Sequence, residues 1–191
     1  MDPLLDFSGK VALVTGGSRG LGLAMVRSLA ERGADVIIAS RKLDNCEQVA
    51  QEVRDLGRRA LAVAAHVGRW GECDALIDAA YAEFGRVDIL INNAGMSPAC
   101  PSVEMSEQLF DSVLNLNFKG PFRLASQIGH RMSQADGGSI INIRSSGALM
   151  ALPGIVPYGG AKAALNAMTV SLAAEFGPKV RVNTISAGPF S

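Results

Sequence analysis

The stretch TGGSRGLG at residues 15–22 decides the fold of this chain. It directly follows the apolar run KVALVT at residues 10–15, and a helical pattern begins within it. Gly16, Gly20 and Gly22 allow a tight turn and let the backbone approach a ligand closely. The amides and the positive dipole of the following helix would stabilise an anion. This pattern predicts a loop that binds a pyrophosphate, and the alternative is an ordinary turn between a strand and a helix.

Short apolar runs alternate with longer helical patterns along the rest of the chain. The predicted strands are residues 10–15, 35–39, 60–65, 87–92, 139–143 and 180–185, and the predicted helices are residues 20–32, 44–56, 71–84, 106–134 and 158–176. Gly33, Gly57, Gly85 and Gly177 follow four of these helices, where a left-handed residue commonly ends a helix. The alternation predicts βαβ units with right-handed crossovers. We therefore expect one α/β domain over residues 1–191, a Rossmann-like doubly wound parallel sheet with helices on both faces.

The composition narrows the classes of function. The 191 residues contain 18 Lys and Arg against 18 Asp and Glu, so charge gives no reason to bind nucleic acid or an anionic membrane. No apolar run reaches the roughly 18 residues of a membrane span. The first ten residues, MDPLLDFSGK, lack the core of a signal peptide, which predicts a cytoplasmic protein. Three cysteines without a CxxC pair support neither a disulfide framework nor a metal site.

The end of the second predicted strand indicates which dinucleotide is bound. A carboxylate about 20 residues beyond the glycine loop holds the ribose 2′-hydroxyl in NAD-binding units. This chain has instead Ala-Ser-Arg-Lys at residues 39–42. The planar fork of Arg41 suits a 2′-phosphate, and Arg19 in the loop could approach it from the other side. NADP(H) is therefore favoured over NAD(H), unless both arginines are simply solvated surface residues.

A second motif, Tyr158-Gly-Gly-Ala-Lys162, opens the last predicted helix. Its tyrosine and lysine are four residues apart and so lie on one helical face. A free phenol has a pKa near 10 and is a poor proton donor and acceptor at neutral pH, but a nearby ammonium lowers that pKa. Ser145 stands 13 residues upstream, at the end of the fifth strand, and Asn117 lies within NFKGPF.

Together these motifs resemble the short-chain dehydrogenase/reductase family in its NADP-preferring form. The resemblance rests on the glycine spacing of residues 15–22, on Asn-Asn-Ala-Gly at residues 92–95, and on the set Asn117, Ser145, Tyr158 and Lys162. It implies hydride transfer between NADP(H) and a carbonyl, with Tyr158 as proton donor and Ser145 bound to the carbonyl oxygen. It also implies that Lys162 holds the nicotinamide ribose and that Asn117 positions a water.

The resemblance further assigns the residues that would bind the cofactor. These are Gly16, Ser18, Arg19, Gly20, Leu21, Gly22, Ser40, Arg41, His66, Val67, Asn93, Ala94, Gly95, Tyr158, Lys162 and Gly188.

The chain departs from the family pattern in four respects, one of which is Ala187-Gly188-Pro189 in place of the usual Pro-Gly after the sixth strand. His66 stands where many relatives have an aspartate that contacts the adenine amino group. Arg144 precedes Ser145 where serine or glycine is usual, and its guanidinium faces either the substrate mouth or solvent. Relatives are longer, so we expect a chain truncated at the C-terminus, without a last strand and a substrate lid.

These observations favour an NADP-dependent oxidoreductase that acts on a small carbonyl or alcohol substrate. The alternatives are an NAD-dependent alcohol or polyol dehydrogenase, a non-catalytic dinucleotide sensor or scaffold, and an inactive truncated product. A second apolar stripe on the helix at residues 158–176 predicts contact with a partner subunit, together with the helix at residues 106–134. The resemblance implies a homodimer or a homotetramer.

Overall fold

The glycine-rich stretch forms the strand, turn and helix that its sequence predicts. The computed structural model describes residues 5–145 and 152–188. The first strand, β1, is Val11–Thr15 and is buried along its whole length. Helix α1 begins at the third glycine of this stretch and spans Gly20–Glu31.

Six parallel strands form one sheet in the order β3-β2-β1-β4-β5-β6. The strands after β1 are β2 Asp35–Ser40, β3 Ala60–Ala64, β4 Ile89–Asn92, β5 Gly138–Ser145 and β6 Val180–Ala187. The order runs outward from β1 in both directions, which is the doubly wound arrangement. The predicted Rossmann-like α/β fold is confirmed.

Helices cover both faces of this sheet. The helices after α1 are α2 Leu43–Asp55, α3 Trp70–Phe84, α4 Glu107–Leu114, α5 Gly120–Gln134 and α6 Val156–Phe176. Leu13 belongs to the apolar core beneath α3, α5 and α6, whereas its neighbour Val14 belongs to the core beneath α1 and α2. Because both faces are buried, the inner strands β1, β2 and β4 are continuous apolar runs, whereas the edge strand β6 alternates between apolar and polar residues.

The single helix predicted over residues 106–134 is wrong in its middle. A π-helical turn at Asn115–Lys119 separates α4 from α5. The side-chain amide of Asn117 donates to the carbonyl of Val113 at 2.9 Å, four residues earlier. That carbonyl is the acceptor that the backbone N–H of Asn117 would use in an α-helix, so a wider turn forms here. Single π turns inside helices are frequently found at functional sites.

The prediction that a left-handed glycine ends the helix is also wrong at one of the four positions. Gly33, Gly57 and Gly85 have φ angles of +95°, +76° and +71° and lie in the left-handed region as expected. Gly177 instead is extended, with φ −64° and ψ 156°. It precedes Pro178, and the proline ring restricts the preceding residue to extended conformations.

Among residues 5–145 and 152–188, no helix is both long enough and apolar enough to cross a membrane.

Candidate functional site

The candidate site lies at the carboxyl ends of β1 and β4, where the direction of winding changes. From β1 the sheet continues to β2 on one side and to β4 on the other. The connections leave these two strands on opposite faces, which opens a crevice between them. The glycine-rich loop follows β1 into this crevice, and residues 93–95 follow β4.

The glycine-rich loop is held against the end of β4. A Cβ on Gly22 would collide with the carbonyl oxygen of Gly16 and would lie 2.6 Å from the side-chain nitrogen of Asn93. That nitrogen donates to the carbonyl of Thr15 at 2.9 Å. The hydroxyl of Thr15 in turn accepts hydrogen bonds from the amides of Asn93 at 3.0 Å and Ala94 at 3.1 Å. Gly22 and Asn93 therefore fix the shape of the loop together.

The N-terminus of α1 is left open for an anion. Its N-cap residue, Arg19, has no side-chain capping hydrogen bond, and the first turn contains no acidic residue. The first amides of a helix have no partner within the helix, and the dipole there is positive. This end of α1 can therefore bind a phosphate group.

A cleft of about 930 Å³ extends from this loop across the ends of β2 and β3. Among the described residues that line it are Arg19, Arg41 and Lys42, but no aspartate or glutamate. The predicted cofactor residues that line it are Gly16, Ser18, Arg19, Gly20, Leu21, Gly22, Ser40, Arg41, His66, Val67, Asn93, Ala94 and Gly95. The structure thus brings thirteen of the sixteen predicted residues to one cationic cleft.

A short chain of hydrogen bonds ties the loop to the end of β2. The hydroxyl of Ser18 donates to the hydroxyl of Ser40 at 2.9 Å, and the latter lies 3.0 Å from the thiol of Cys46. Burial raises the pKa of Cys46, so this thiol stays neutral. Arg19 and Arg41, the exposed residues that directly follow Ser18 and Ser40 in the chain, line the same cleft. The two arginines therefore flank one corner of the cleft.

His66 lies in the cleft with one ring nitrogen already occupied. Its Nδ1 accepts a hydrogen bond from the amide of Gly68 at 3.2 Å. Its backbone N–H donates to the carboxylate of Glu72 at 2.6 Å. A neutral imidazole that accepts at Nδ1 carries its proton on Nε2. His66 therefore offers a donor where an aspartate would offer an acceptor.

A second cavity of about 240 Å³ contains the predicted reactive residues. Ser145, Tyr158, Lys162 and Gly188 line it, together with Arg144. Four further residues, Leu21, Asn93, Gly95 and Met96, line both cavities. The two cavities are therefore parts of one continuous groove.

Lys162 is buried at the inner wall of this second cavity. Its ammonium donates to the carbonyl of Ile143 at 2.9 Å and lies 5.8 Å from the centre of the Tyr158 ring. Burial disfavours the charged form and lowers the pKa of Lys162 to about 8. A rise in pH from neutrality to above about 8 would therefore remove the positive charge of Lys162.

Asn117 joins this group from the π turn. It is fully buried, and its amide donates to the carbonyl of Met96 at 2.8 Å. A Cβ on Gly95 would lie 2.7 Å from the side-chain oxygen of Asn117 and 3.6 Å from Nζ of Lys162. A side chain at position 95 would therefore displace the side chain of Asn117.

Some residues that line the groove are absent from the sequence-based predictions. They are Ala39, Lys42, Asn45, Ala65, Met96 and Leu116 in the larger cleft, and Ser97, Ile143 and Ala187 in the smaller one. Most of them lie at or shortly beyond the carboxyl end of a strand, which is the signal that could have found them.

Three observations indicate that the groove fits the phosphate groups of a dinucleotide. The loop excludes side chains at Gly22, the N-terminus of α1 is uncapped, and the described lining of the larger cleft carries cations without carboxylates. Each of these favours an extended anionic ligand.

The family model for short chain dehydrogenases matches residues 10–191. The chain is 39% identical over 186 residues to the peroxisomal 2,4-dienoyl-CoA reductase [(3E)-enoyl-CoA-producing] of Danio rerio, covering 96% of this chain and 62% of that protein. The chain therefore spans less than two thirds of the length of this relative.

Two solved structures are similar over almost the whole chain. A candidate short-chain alcohol dehydrogenase of Sinorhizobium meliloti 1021 superposes with a TM-score of 0.94 at 39% identity, covering 98% of this chain and 75% of that one. An NAD+-bound xylitol dehydrogenase superposes with a TM-score of 0.90 at 31% identity, covering 95% of this chain and 71% of that one. By sequence and by fold, the chain belongs to the short-chain dehydrogenase family.

Proposed function

We propose that this chain is the dinucleotide-binding catalytic domain of an oxidoreductase that moves a hydride between NADP(H) and a small carbonyl or alcohol substrate. One observation carries the proposal: a continuous groove runs from the uncapped N-terminus of α1 to Tyr158 and Lys162. A dinucleotide bound along it would have its phosphates at one end and its reactive ring beside the tyrosine.

The reduction of a carbonyl needs a hydride and a proton, and the bound NADPH supplies the hydride. The hydroxyl of Tyr158 donates the proton to the carbonyl oxygen. The hydroxyl of Ser145 donates a hydrogen bond to the same oxygen and so holds the carbonyl in place. In the reverse direction the phenolate of Tyr158 accepts the proton of the alcohol.

Lys162 has two roles in this proposal. Its ammonium stabilises the phenolate of Tyr158, and it donates to the ribose hydroxyls next to the nicotinamide. Both roles need the charged form, which burial disfavours above about pH 8. Asn117 keeps its side chain beside Gly95 and Met96 and positions a water that passes protons to Lys162.

The preference for NADP(H) rests on the cationic corner of the larger cleft. Arg41 and Lys42 follow β2 directly, Arg19 lies in the glycine loop, and no carboxylate lines the described part of the cleft. A 2′-phosphate would be attracted there, whereas a bare ribose would find no acceptor of the usual kind.

A second candidate is an NAD-dependent polyol dehydrogenase, which the similarity to the NAD+-bound xylitol dehydrogenase favours. Titration of NADPH and NADH by the quenching of protein fluorescence separates the two candidates. Tighter binding of NADPH is expected, and a preference for NADH would overturn the NADP assignment. Failure to bind either dinucleotide would contradict the proposed function itself.

The replacement Tyr158→Phe tests the chemical assignment. It keeps the ring and removes only the hydroxyl, so the fold and the affinity for NADPH should survive. Loss of a positioned acid is expected to lower kcat for carbonyl reduction by about 10²–10⁴-fold. Steady-state rates and NADPH titrations on the same preparation measure both quantities. Near-full turnover by this variant would show that another group donates the proton.

A further inference from the structure

Arg144 is placed beside the reactive residues but has no role in the function proposed above. It is the penultimate residue of β5, and it lines the smaller cavity together with Ser145 and Tyr158. Alternate residues of a strand share a face. Asn142, two residues earlier, donates to the hydroxyl of Thr169 on α6 at 2.9 Å. Arg144 therefore lies on the α6 side of the sheet, the helix that carries Tyr158.

The guanidinium of Arg144 lacks the partners that other arginines have. Its Nε is buried without a hydrogen-bond partner, and no carboxylate within residues 5–145 and 152–188 pairs with it. Seven other arginines each form an ion pair, and these are Arg27, Arg54, Arg59, Arg69, Arg86, Arg123 and Arg131. Leaving a buried donor unpaired is costly, so such groups commonly have a function.

The charges around the smaller cavity select for a negative ligand. Among its described lining residues are two cations, Arg144 and Lys162, and no aspartate or glutamate. Lys162 already donates to the carbonyl of Ile143 and serves Tyr158 in the proposed mechanism. Arg144 is therefore the cation that remains for the substrate.

We propose that Arg144 binds an oxyanion of the substrate, so that the substrate is a compact carbonyl compound carrying a carboxylate or a phosphate. This inference rests on the proposed function, because it deepens the description of the same site. A guanidinium presents a planar fork that matches both oxyanions. Arg144 directly precedes Ser145 and both residues line the same cavity, so the anionic group would lie close to the reacting carbonyl.

Two matched pairs of substrates test this assignment. Pyruvate and methyl pyruvate share a carbonyl but differ in charge, and so do hydroxyacetone phosphate and hydroxyacetone. The wild type is expected to prefer the charged member of one pair, and which pair it is distinguishes a carboxylate from a phosphate. Rates with NADPH at one fixed salt concentration give kcat/KM for all four compounds.

The variant Arg144→Met should remove this preference. We expect kcat/KM for the charged member to fall by about 10- to 100-fold, or about 1.4–2.8 kcal/mol, mainly through KM, while the neutral member is unaffected. Arg144→Lys should retain part of the preference because it keeps the charge. Arg181→Met is the matched control, since Arg181 is an exposed arginine of β6 that pairs with Ser139 of β5, far from the cavity end.

Measurements of anion binding test the inference even if none of the four compounds is turned over. Calorimetric titration of the protein with oxamate and with inorganic phosphate, each with and without bound NADP+, should show weaker binding of one anion by Arg144→Met. Its thermal stability should not fall, since the buried unpaired donor is removed. Equal losses for charged and neutral substrates, a wild-type preference for the neutral member of both pairs, or anion binding that does not depend on Arg144 would each overturn the inference. A wild-type protein that does not bind NADPH would instead overturn the proposed function.

Discussion

The exposed guanidinium of Arg41 directly follows β2 and faces the corner where Ser18 meets Ser40. If it pairs with a 2′-phosphate, Arg41→Ala removes a charge-assisted hydrogen bond of about 1.5–3 kcal/mol. The dissociation constant of NADPH is then expected to rise by about 10- to 100-fold, while that of NADH stays unchanged. Titration of both cofactors at one salt concentration measures this difference, because exposed charges are screened. Equal losses for both would mean that Arg41 acts only on the shape of the loop.

Lys162 should make the free energy of unfolding depend on pH. Burial lowers its pKa from 10.5 to about 8, so the folded chain releases this proton first. Between those two values the unfolded state binds more protons, and the stability contributed by Lys162 rises with pH. The expected gain across this window is roughly 3 kcal/mol. Below about pH 8, Lys162 is protonated in both the folded and the unfolded state, so the cost of burying its charge does not change with pH.

Urea unfolding of the wild type and of Lys162→Met checks this dependence. The variant lacks the titrating group, so its stability relative to the wild type should decline from about pH 7 to about pH 10. Other groups titrate in both proteins and cancel in the difference. A difference that does not change with pH would contradict the burial of a charged lysine.

At the scale of elements, the turn from β1 into α1 depends on Gly22. A Cβ there would collide with the carbonyl of Gly16 and press on Asn93. We expect Gly22→Ala to lower the free energy of unfolding by about 1–3 kcal/mol and to weaken NADPH binding, because the loop must open. Gly71→Ala is the matched control, since a Cβ on this residue in the first turn of α3 meets nothing within 4 Å. It should leave binding unchanged and raise stability by about 0.5–1 kcal/mol. Denaturant unfolding and cofactor titration of both variants provide the comparison.

At the scale of the whole molecule, one face of α6 has no partner among the described residues. Its first apolar stripe is buried against the sheet, and its second stripe is exposed, with Val170 showing 66% of its surface. The second stripe comprises Ala163, Ala167, Val170 and Ala174. We propose that it contacts a second copy of the chain, with Phe110 of α4 and Phe122 of α5, which are also exposed.

The replacement Val170→Glu tests this contact. A carboxylate on an apolar interface would be buried without a partner, so light scattering should show a shift from dimer or tetramer to monomer. The matched control Gln48→Glu adds the same carboxylate at an exposed position of α2, on the opposite face of the sheet from α6, and should leave the mass unchanged. A wild type that is monomeric in solution would contradict the proposed contact.

Most of the strands and helices could be predicted from the sequence. Most strands are continuous apolar runs and the crossovers are helical patterns, and such local periodicities are visible without any long-range contact. The glycine spacing of residues 15–22 likewise reflects local backbone requirements. The predicted residues of the larger cleft came mainly from the resemblance to a known family, and they meet in the structure because the carboxyl ends of parallel strands lie at one edge of the sheet.

The effects of distant groups on one another are visible in the folded structure alone. At the π turn, the side-chain amide of Asn117 donates to the carbonyl of Val113 and also to that of Met96, 21 residues away, and no helical periodicity predicts the second contact. The lowered pKa of Lys162 and the unpaired guanidinium of Arg144 both arise from burial by other elements. Such effects depend on which atoms the folded chain places around a group, and that information is not contained in the group's own sequence neighbourhood.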